Sequence, residues 1–411
     1  MGIDKPKLER TLQIAIPKEV FNQLYEMIED HLPPSFYSKP NSKYETKTIV
    51  KYLLMMCALN VSHEGISQLM LDHLAEIGKI KKIDVPTGAC LLIRIGGSTY
   101  QETRDSCDII LEATLKHPQI IRMLRKPMIT AGDEHDVPAM FKEIIEECMT
   151  TGKPKGGTSK HLRYTTVKIV NGMLPLTIAV HPTGQKHKKE DIVRQQIEMC
   201  RKNGIISKIH LLDRGFYTAA VLRALIDMKQ PFIMPAKKTS KVMLAVDAYD
   251  KGAGKQVLRY TVRGKTATAT ITLVIVPRKD AKKSDPLKDR YLVFATNFSV
   301  REARTKLANI PVIYRSRWGI ETGYRVAKQV RPFTCSRNPS VRLVLFYFTM
   351  FLYNLWVISG WNAGGTDGTN GDAYIRPPIT MKRMMAALNT ACKRMIVKKI
   401  VSDTFFSKVV T

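Results

Sequence analysis

Ile209-His-Leu-Leu-Asp213-Arg-Gly-Phe216 is a short apolar run that ends on a carboxylate and then turns through glycine. A buried strand of this kind delivers its carboxylate to the C-terminal edge of a sheet, where open α/β sheets place their ligands. Alone, such an aspartate is as readily a turn or helix-capping residue. Its neighbours decide the matter. Polar, charged Lys188 to Asn203 reads as a helix before the strand, Thr218 to Met228 as a helix after it, and Pro231 to Pro235 as a further apolar run. Upstream, Pro127-Met-Ile-Thr-Ala-Gly-Asp133 repeats the pattern of a strand closing on an aspartate.

Between these two aspartates lie Leu162 to Val170 and Leu174 to Val180, β-branched runs joined by Asn171-Gly172, a strong hairpin signal. A Gly- and Lys-rich segment, Thr151 to Lys160, reads as a loop ahead of them. Three strands with a hairpin, then helix, strand, helix, strand, is the element order of a ribonuclease H-like α/β fold with a mixed sheet. From Lys237 to Asn297 the pattern turns all-β, with Val257 to Val262 and Thr266 to Val276 alternating cleanly. Lysines 237, 238, 241, 251, 255, 279, 282 and 283 crowd its turns, so the segment reads as a basic β insertion.

The expected division is therefore an N-terminal helical domain over 1–125, a catalytic core over 126–236, the β insertion over 237–297, the rest of the core over 298–361, and a linker with a basic helix over 362–411. In the first domain Val20 to Leu32, Lys47 to Leu59 and Gly65 to Ile77 show helical spacing. A helix-turn-helix is one reading of the last of these, and a plain helical bundle is the other. Leu343 to Trp361 is long and apolar enough to span a membrane, but reads as a buried core helix since no second span accompanies it.

Tyr314-Arg-Ser-Arg-Trp-Gly-Ile-Glu-Thr-Gly-Tyr-Arg-Val-Ala-Lys328 carries the most chemistry. At about 100° per residue on one helix, Tyr314, Arg317, Glu321 and Lys328 fall within about 60° of each other. An i,i+4 pair such as Arg317 and Glu321 ordinarily just decorates a solvated face. Here the spacing Tyr-x2-Arg-x3-Glu-x6-Lys resembles the signature of a large group of insertion-sequence DDE transposases. Asp213-Arg-Gly-Phe-Tyr is similar to their second acidic motif, and Ala131-Gly-Asp-Glu-His-Asp-Val-Pro138 to their first, with Gly132 where an apolar residue is usual. The likeness covers about residues 125 to 360, and members of the group also carry a β insertion.

The resemblance implies that Asp133, Asp213 and Glu321 form a catalytic triad holding Mg²⁺ or Mn²⁺, two ions in all, with Asp136 the rival for the first position. Three hard-oxygen ligands suit such ions. It also implies that Arg317 and Lys328 hold phosphates near the cleaved end, with Tyr314 packing or hydrogen-bonding at the same strand. Trp318 and Tyr324 are either base-stacking or core aromatics, and His135 reads as a loop residue with no zinc partner at ligand spacing. The implied activity is metal-dependent cleavage of element ends and strand transfer into target DNA, on double-stranded DNA and as a homodimer. The alternatives are a ribonuclease H-like nuclease without strand transfer and a catalytically retired DNA-binding derivative.

Composition agrees with a polyanionic partner. Lysine and arginine total 65 against 36 acidic residues, a formal charge of +29. Seven cysteines, an odd number with no Cys-x-x-Cys pair, argue against a disulfide frame or a zinc finger. No apolar signal core opens the chain, so the expected location is cytoplasmic, associated with the nucleoid.

Overall fold

The computed structural model describes residues 26, 28–77, 85–116, 120–121, 124–170, 175–363, 380–390, 392–393 and 396. The chain forms two compact units, one from Met1–Ile120 with Gly323–Thr411, the other Ile121–Thr322. The Asn171-Gly172 turn and most of the glycine-rich linker lie outside the described residues.

The first unit is helical, with α1 Thr46–Leu59, α2 His63–Glu76, α3 Gly88–Gly96 and α4 Tyr100–Leu115. Left-handed Asn60 stops α1, and α4 opens on a capping box in which Thr99 and Glu102 satisfy each other's backbone amides.

The second unit is built on one nine-stranded sheet. Its strands are β1 Met128–Pro138, β2 Met149–Lys155, β3 Thr158–Ile169, β4 Thr177–Thr183, β5 Ser207–Leu211, β6 Phe232–Pro235, β7 Val257–Arg263, β8 Thr268–Pro277 and β9 Tyr291–Thr296. The order is β3-β1-β5-β6-β9-β8-β7, with β2 and β4 sharing the outer edge of β3. β1 is parallel to β5 and β5 to β6, while β3, β4 and the last three strands pair antiparallel. Between the strands lie α5 Lys189–Lys202, α6 Ala219–Asp227, α7 Ser240–Asp250 and α8 Leu287–Arg290, and after β9 come α9 Val300–Thr305, α10 Asn309–Arg315 and α11 Trp318–Ala327, the last running past the unit's end at Thr322.

Two local expectations change. Thr151 to Lys160 is not a loop: β2 and β3 form a hairpin there, closed by Gly156 and Gly157, both at positive φ as a two-residue hairpin turn demands. The insertion is not all-β, because Thr239 caps α7 and its Val242 and Val246 reach the core. Its Val246, Leu273, Ile275 and Val293 share one apolar cluster with Ile197, Leu222 and Phe232 of the α5, α6 and β6 region. Seven of the eight lysines singled out in it are exposed; Lys238 instead folds back, its ammonium donating to the carbonyls of Lys288 and Tyr291.

In the first unit α12 Pro339–Ala363 packs against α1, α3 and α4. Its window Pro339–Ile358 has the length and apolarity of a membrane span, yet is 83% buried. Asn354 within it donates to Thr114 Oγ1 at 3.2 Å, satisfying its amide in an apolar setting. Tyr347 of α12 donates its hydroxyl proton to Asp108 of α4, and Arg104 stands 3.8 Å away. Burial outweighs these partners and pushes the Asp108 carboxyl up from 3.8 to about 6. A raised native value means that the fold binds this proton more tightly than the unfolded chain does. The stabilisation is present in full below about pH 4 and is lost as pH rises through about 6. Asp108→Asn keeps an acceptor for Tyr347 and removes the charge. Denaturant melts at pH 7 should show a gain on the order of 2 kcal/mol that shrinks toward pH 4.

Candidate active site

β1 and β5 set the geometry. Their last register partners are Ala131 and Leu211, and Asp133 and Asp213 each follow two residues later. Equal offsets past one register pair carry both carboxylates to the place where the two parallel strands part. β1 does not end at Asp133, as the sequence suggested. It continues to Pro138, paired with β3 through Pro138 and His161, because cross-strand ion pairs carry its polar half. His135 accordingly sits in a strand, opposite Tyr164, and not in a loop.

Gly132 answers to packing. A Cβ there would come within 2.5 Å of Gln196 Oε1 on α5, and Gln196 is placed there by its contact with His210 Nε2, 3.2 Å away. An apolar residue at this position would have to displace the Gln196 amide from its contact with His210.

Asp133 and Asp136 have separate fates. Alternation puts them on opposite faces of β1. Asp136 receives two hydrogen bonds from Arg163, Nε at 2.7 Å and Nη2 at 3.1 Å. Burial alone would raise its carboxyl, but Arg163, with Lys155 and His161 beyond, holds it low. Asp133 Oδ1 accepts from the Glu134 amide at 3.0 Å, and Oδ2 faces Arg317 Nη1 at 3.7 Å. Its carboxyl is pushed up to about 6, by burial first, with Asp213 and Glu321 adding to the rise and Arg317 opposing it. Asp213 caps the single 3-10 turn Arg214–Phe216, its Oδ1 accepting from the Gly215 amide at 2.7 Å.

The signature stretch is not one helix. α10 ends at Arg315, Ser316 and Arg317 form a turn, and α11 starts at Trp318. Ser316 Oγ takes the Ile313 carbonyl at 2.6 Å, and successive bonds spanning three residues, such as Arg317 to Tyr314, tighten the junction. Tyr314, Arg317 and Glu321 still meet. Arg317, 11% exposed, reaches Glu321 Oε1 at 2.6 Å with Nη2 while Nη1 faces Asp133, so one guanidinium bridges two carboxylates. Its Nε has no hydrogen-bond partner. Burial would lower its basicity, but Tyr314, Asp133 and Glu321 raise it. Tyr314 packs on Phe294, ring centroids 5.3 Å apart, with Arg317 5.9 Å from its ring. Its hydroxyl is raised by burial first and by Asp213 and Asp133, and lowered by Arg317.

Trp318 is 62% exposed, whereas Tyr324 is buried and serves the core. Lys328 is exposed, in a 3-10 turn after α11, and belongs to the other compact unit. Among the described residues, no three His, Cys, Asp or Glu side chains form a group closed enough to hold a metal ion. The donor chemistry nevertheless suits a hard divalent cation. Asp133, Asp213 and Glu321 offer only carboxylate oxygens, and burial first, with the two neighbouring carboxylates, holds Asp133 against ionisation. No local pattern announces the charged ladder on the far face of β1, Glu134 and Asp136 with Arg163, Lys155 and Lys189.

A strand flanked by an antiparallel hairpin on one side and two parallel strands on the other, with aspartates just past the point where two parallel neighbours stop pairing, defines a ribonuclease H-like α/β enzyme fold. Residues 125–355, more than half of the chain, match the family described as Transposase DDE domain. The chain belongs to the DDE transposase family, whose members generally use divalent metal ions. Among solved structures it is similar to a piggyBac transposase synaptic complex with hairpin DNA, determined by cryo-EM. That similarity has a TM-score of 0.52 at 10% identity, covering 96% of this chain and 81% of the other, and it concerns the fold. No curated protein matches the sequence.

Proposed function

We propose that this protein moves an insertion sequence, cutting phosphodiester bonds at the element's ends and joining the freed 3′-hydroxyls to target DNA. The observation that carries this reading is the gathering of Asp133 and Glu321 about the Arg317 guanidinium, with Asp213 acting on Asp133, in a chain of the DDE family. Asp133, Asp213 and Glu321 would hold Mg²⁺ or Mn²⁺, two ions in the full complex. Such ions, when bound, activate water or a 3′-hydroxyl and stabilise the leaving oxygen of an in-line displacement.

The chain's own residues do the rest. Asp133 is preferred to Asp136 as ligand because Arg163 already holds both oxygens of Asp136. The half-buried Arg317 keeps its cationic guanidinium beside the two carboxylates, and such a fork suits a phosphate oxygen of the cleaved strand. Tyr314 buttresses that guanidinium, and exposed Trp318, the next residue, offers a face to an unstacked base. Lys328 is assigned to phosphate from the signature alone.

Double-stranded DNA is the partner, at element ends and at the target, and a homodimer would synapse two ends. The exposed lysines of the insertion and the basic C-terminal helix would grip backbone phosphates, with the domain limits at 125, 236, 297 and 361. The working location is the nucleoid in the cytoplasm. Binding should weaken with salt with a log–log slope of about −0.9 per phosphate neutralised, read by fluorescence anisotropy on a labelled duplex.

The test is incubation with DNA carrying the inverted repeats that flank the gene. Mg²⁺-dependent nicking at the repeat ends, followed by covalent joining to a target plasmid, is the expected result. Cleavage without joining points to a nuclease; binding with no cleavage under any divalent metal points to a retired derivative.

A further inference from the structure

Lys189 opens α5 behind the sheet, on the face opposite Asp133. Side chains alternate along β1, so Glu134 points away from Asp133. There its Oε2 lies 3.7 Å from Lys189 Nζ and 3.2 Å from Arg163 Nη1. The same ammonium donates to the Gly215 carbonyl at 3.1 Å and sits 4.9 Å from the centroid of the Phe216 ring. Both polar contacts fall on the residues that orient the two aspartates. The Glu134 amide donates to Asp133 Oδ1 at 3.0 Å, and the Gly215 amide to Asp213 Oδ1 at 2.7 Å. Each aspartate is thus held by a residue that Lys189 ties to the other.

The geometry points to Lys189 as a positioning residue that sets the spacing of Asp133 and Asp213, and this rests on their being metal ligands. β1 and β5 stop pairing at Ala131 and Leu211, so no backbone ladder fixes the two chains beyond that point. Lys189 supplies a side-chain cross-link just where the ladder ends. An ammonium suits the place, because its three donors can serve a carboxylate and a carbonyl at once. Groups that orient metal ligands in this way commonly change metal affinity about 10–100-fold when removed.

A merely nearby charge would have the opposite effect. A cation close to the site repels a divalent ion, so removing it would tighten metal binding. The sign of the change therefore separates positioning from simple electrostatics.

The experiment is isothermal titration of the full chain with Mn²⁺ alone, for wild type, Asp213→Ala, Lys189→Met, Lys189→Arg and Glu134→Gln, with thermal melts as a check on folding. Wild type should show binding that Asp213→Ala removes. Lys189→Met should weaken that binding about tenfold, Lys189→Arg should restore it to within about threefold, and Glu134→Gln should fall between. Should Lys189→Met fail to fold, Lys189→Leu, which likewise removes the charge and both polar contacts, carries the test; Glu134→Gln serves only as support, because losing a carboxylate near the site weakens a divalent ion by charge alone. Affinity equal to or tighter than wild type in the folded Lys189→Met or Lys189→Leu protein overturns the positioning role. Absence of any Asp213-dependent Mn²⁺ binding in wild type overturns the metal-site reading itself, before Lys189 is altered, and this proposal with it.

Discussion

Asp213→Asn should abolish Mg²⁺-dependent cleavage of the element ends, by more than about a thousandfold, while leaving DNA affinity within a few-fold of wild type. The asparagine is chosen because Asp213 has two jobs. Its Oδ1 caps the turn at Arg214–Phe216 through the Gly215 amide, and an amide oxygen can keep that bond. What the substitution removes is the negative charge and one oxygen able to bind a metal. A loss of this size is about 4 kcal/mol in activation free energy, larger than any capping effect. Gel-based cleavage and anisotropy on the same duplex measure the two quantities. An Asp213→Asn protein that still cleaves at a tenth of the normal rate would leave Asp213 as a turn residue only.

Arg317→Ala should cost about 10²–10³-fold in cleavage rate, and Arg317→Lys should recover only part of it. The guanidinium spans from Asp133 Oδ2 to Glu321 Oε1 and keeps Nε spare, so it meets two carboxylates in one plane with a donor left over. An ammonium is a point charge and cannot reproduce that fork. Alanine also leaves Asp133 without the one cation that opposes its burial and its carboxylate neighbours. Single-turnover rates at saturating DNA separate this effect from weaker binding. Equal rates for Lys and Arg would mean that charge alone matters at this position.

Much of this could be read from residue order. The apolar strand segments leading to Asp133 and Asp213 were legible because a short apolar run closed by a carboxylate is a local pattern, and the helices between them carry clear spacing. Where the chain relies on distant partners, the pattern misleads. Glu134, His135 and Asp136 look like a loop, yet Arg163 across the ladder draws the carboxylates among them into β1. Ser240 to Asp250 was lost among lysines and alternating neighbours, although Thr239 caps it as a helix. The wheel that gathered Tyr314, Arg317 and Glu321 assumed one straight helix. The structure breaks it at Ser316 and Arg317, and the three side chains meet because that break is itself tightly wound. Lys189 had no signal at all, since its value depends on Glu134 and Gly215, far from it in sequence and brought together only by the sheet.

The measurement closest to the central claim is cleavage of the polypeptide by Fe²⁺ put in place of the native divalent ion, with ascorbate and peroxide, mapped by mass spectrometry. Hydroxyl radicals cut backbone near the ion that makes them. Cuts clustered around Asp133, Asp213 and Glu321 together, suppressed by excess Mg²⁺ and absent in Asp213→Asn, are the expected result. Cuts confined to one of the three segments, or scattered without regard to Mg²⁺, would contradict a shared metal site.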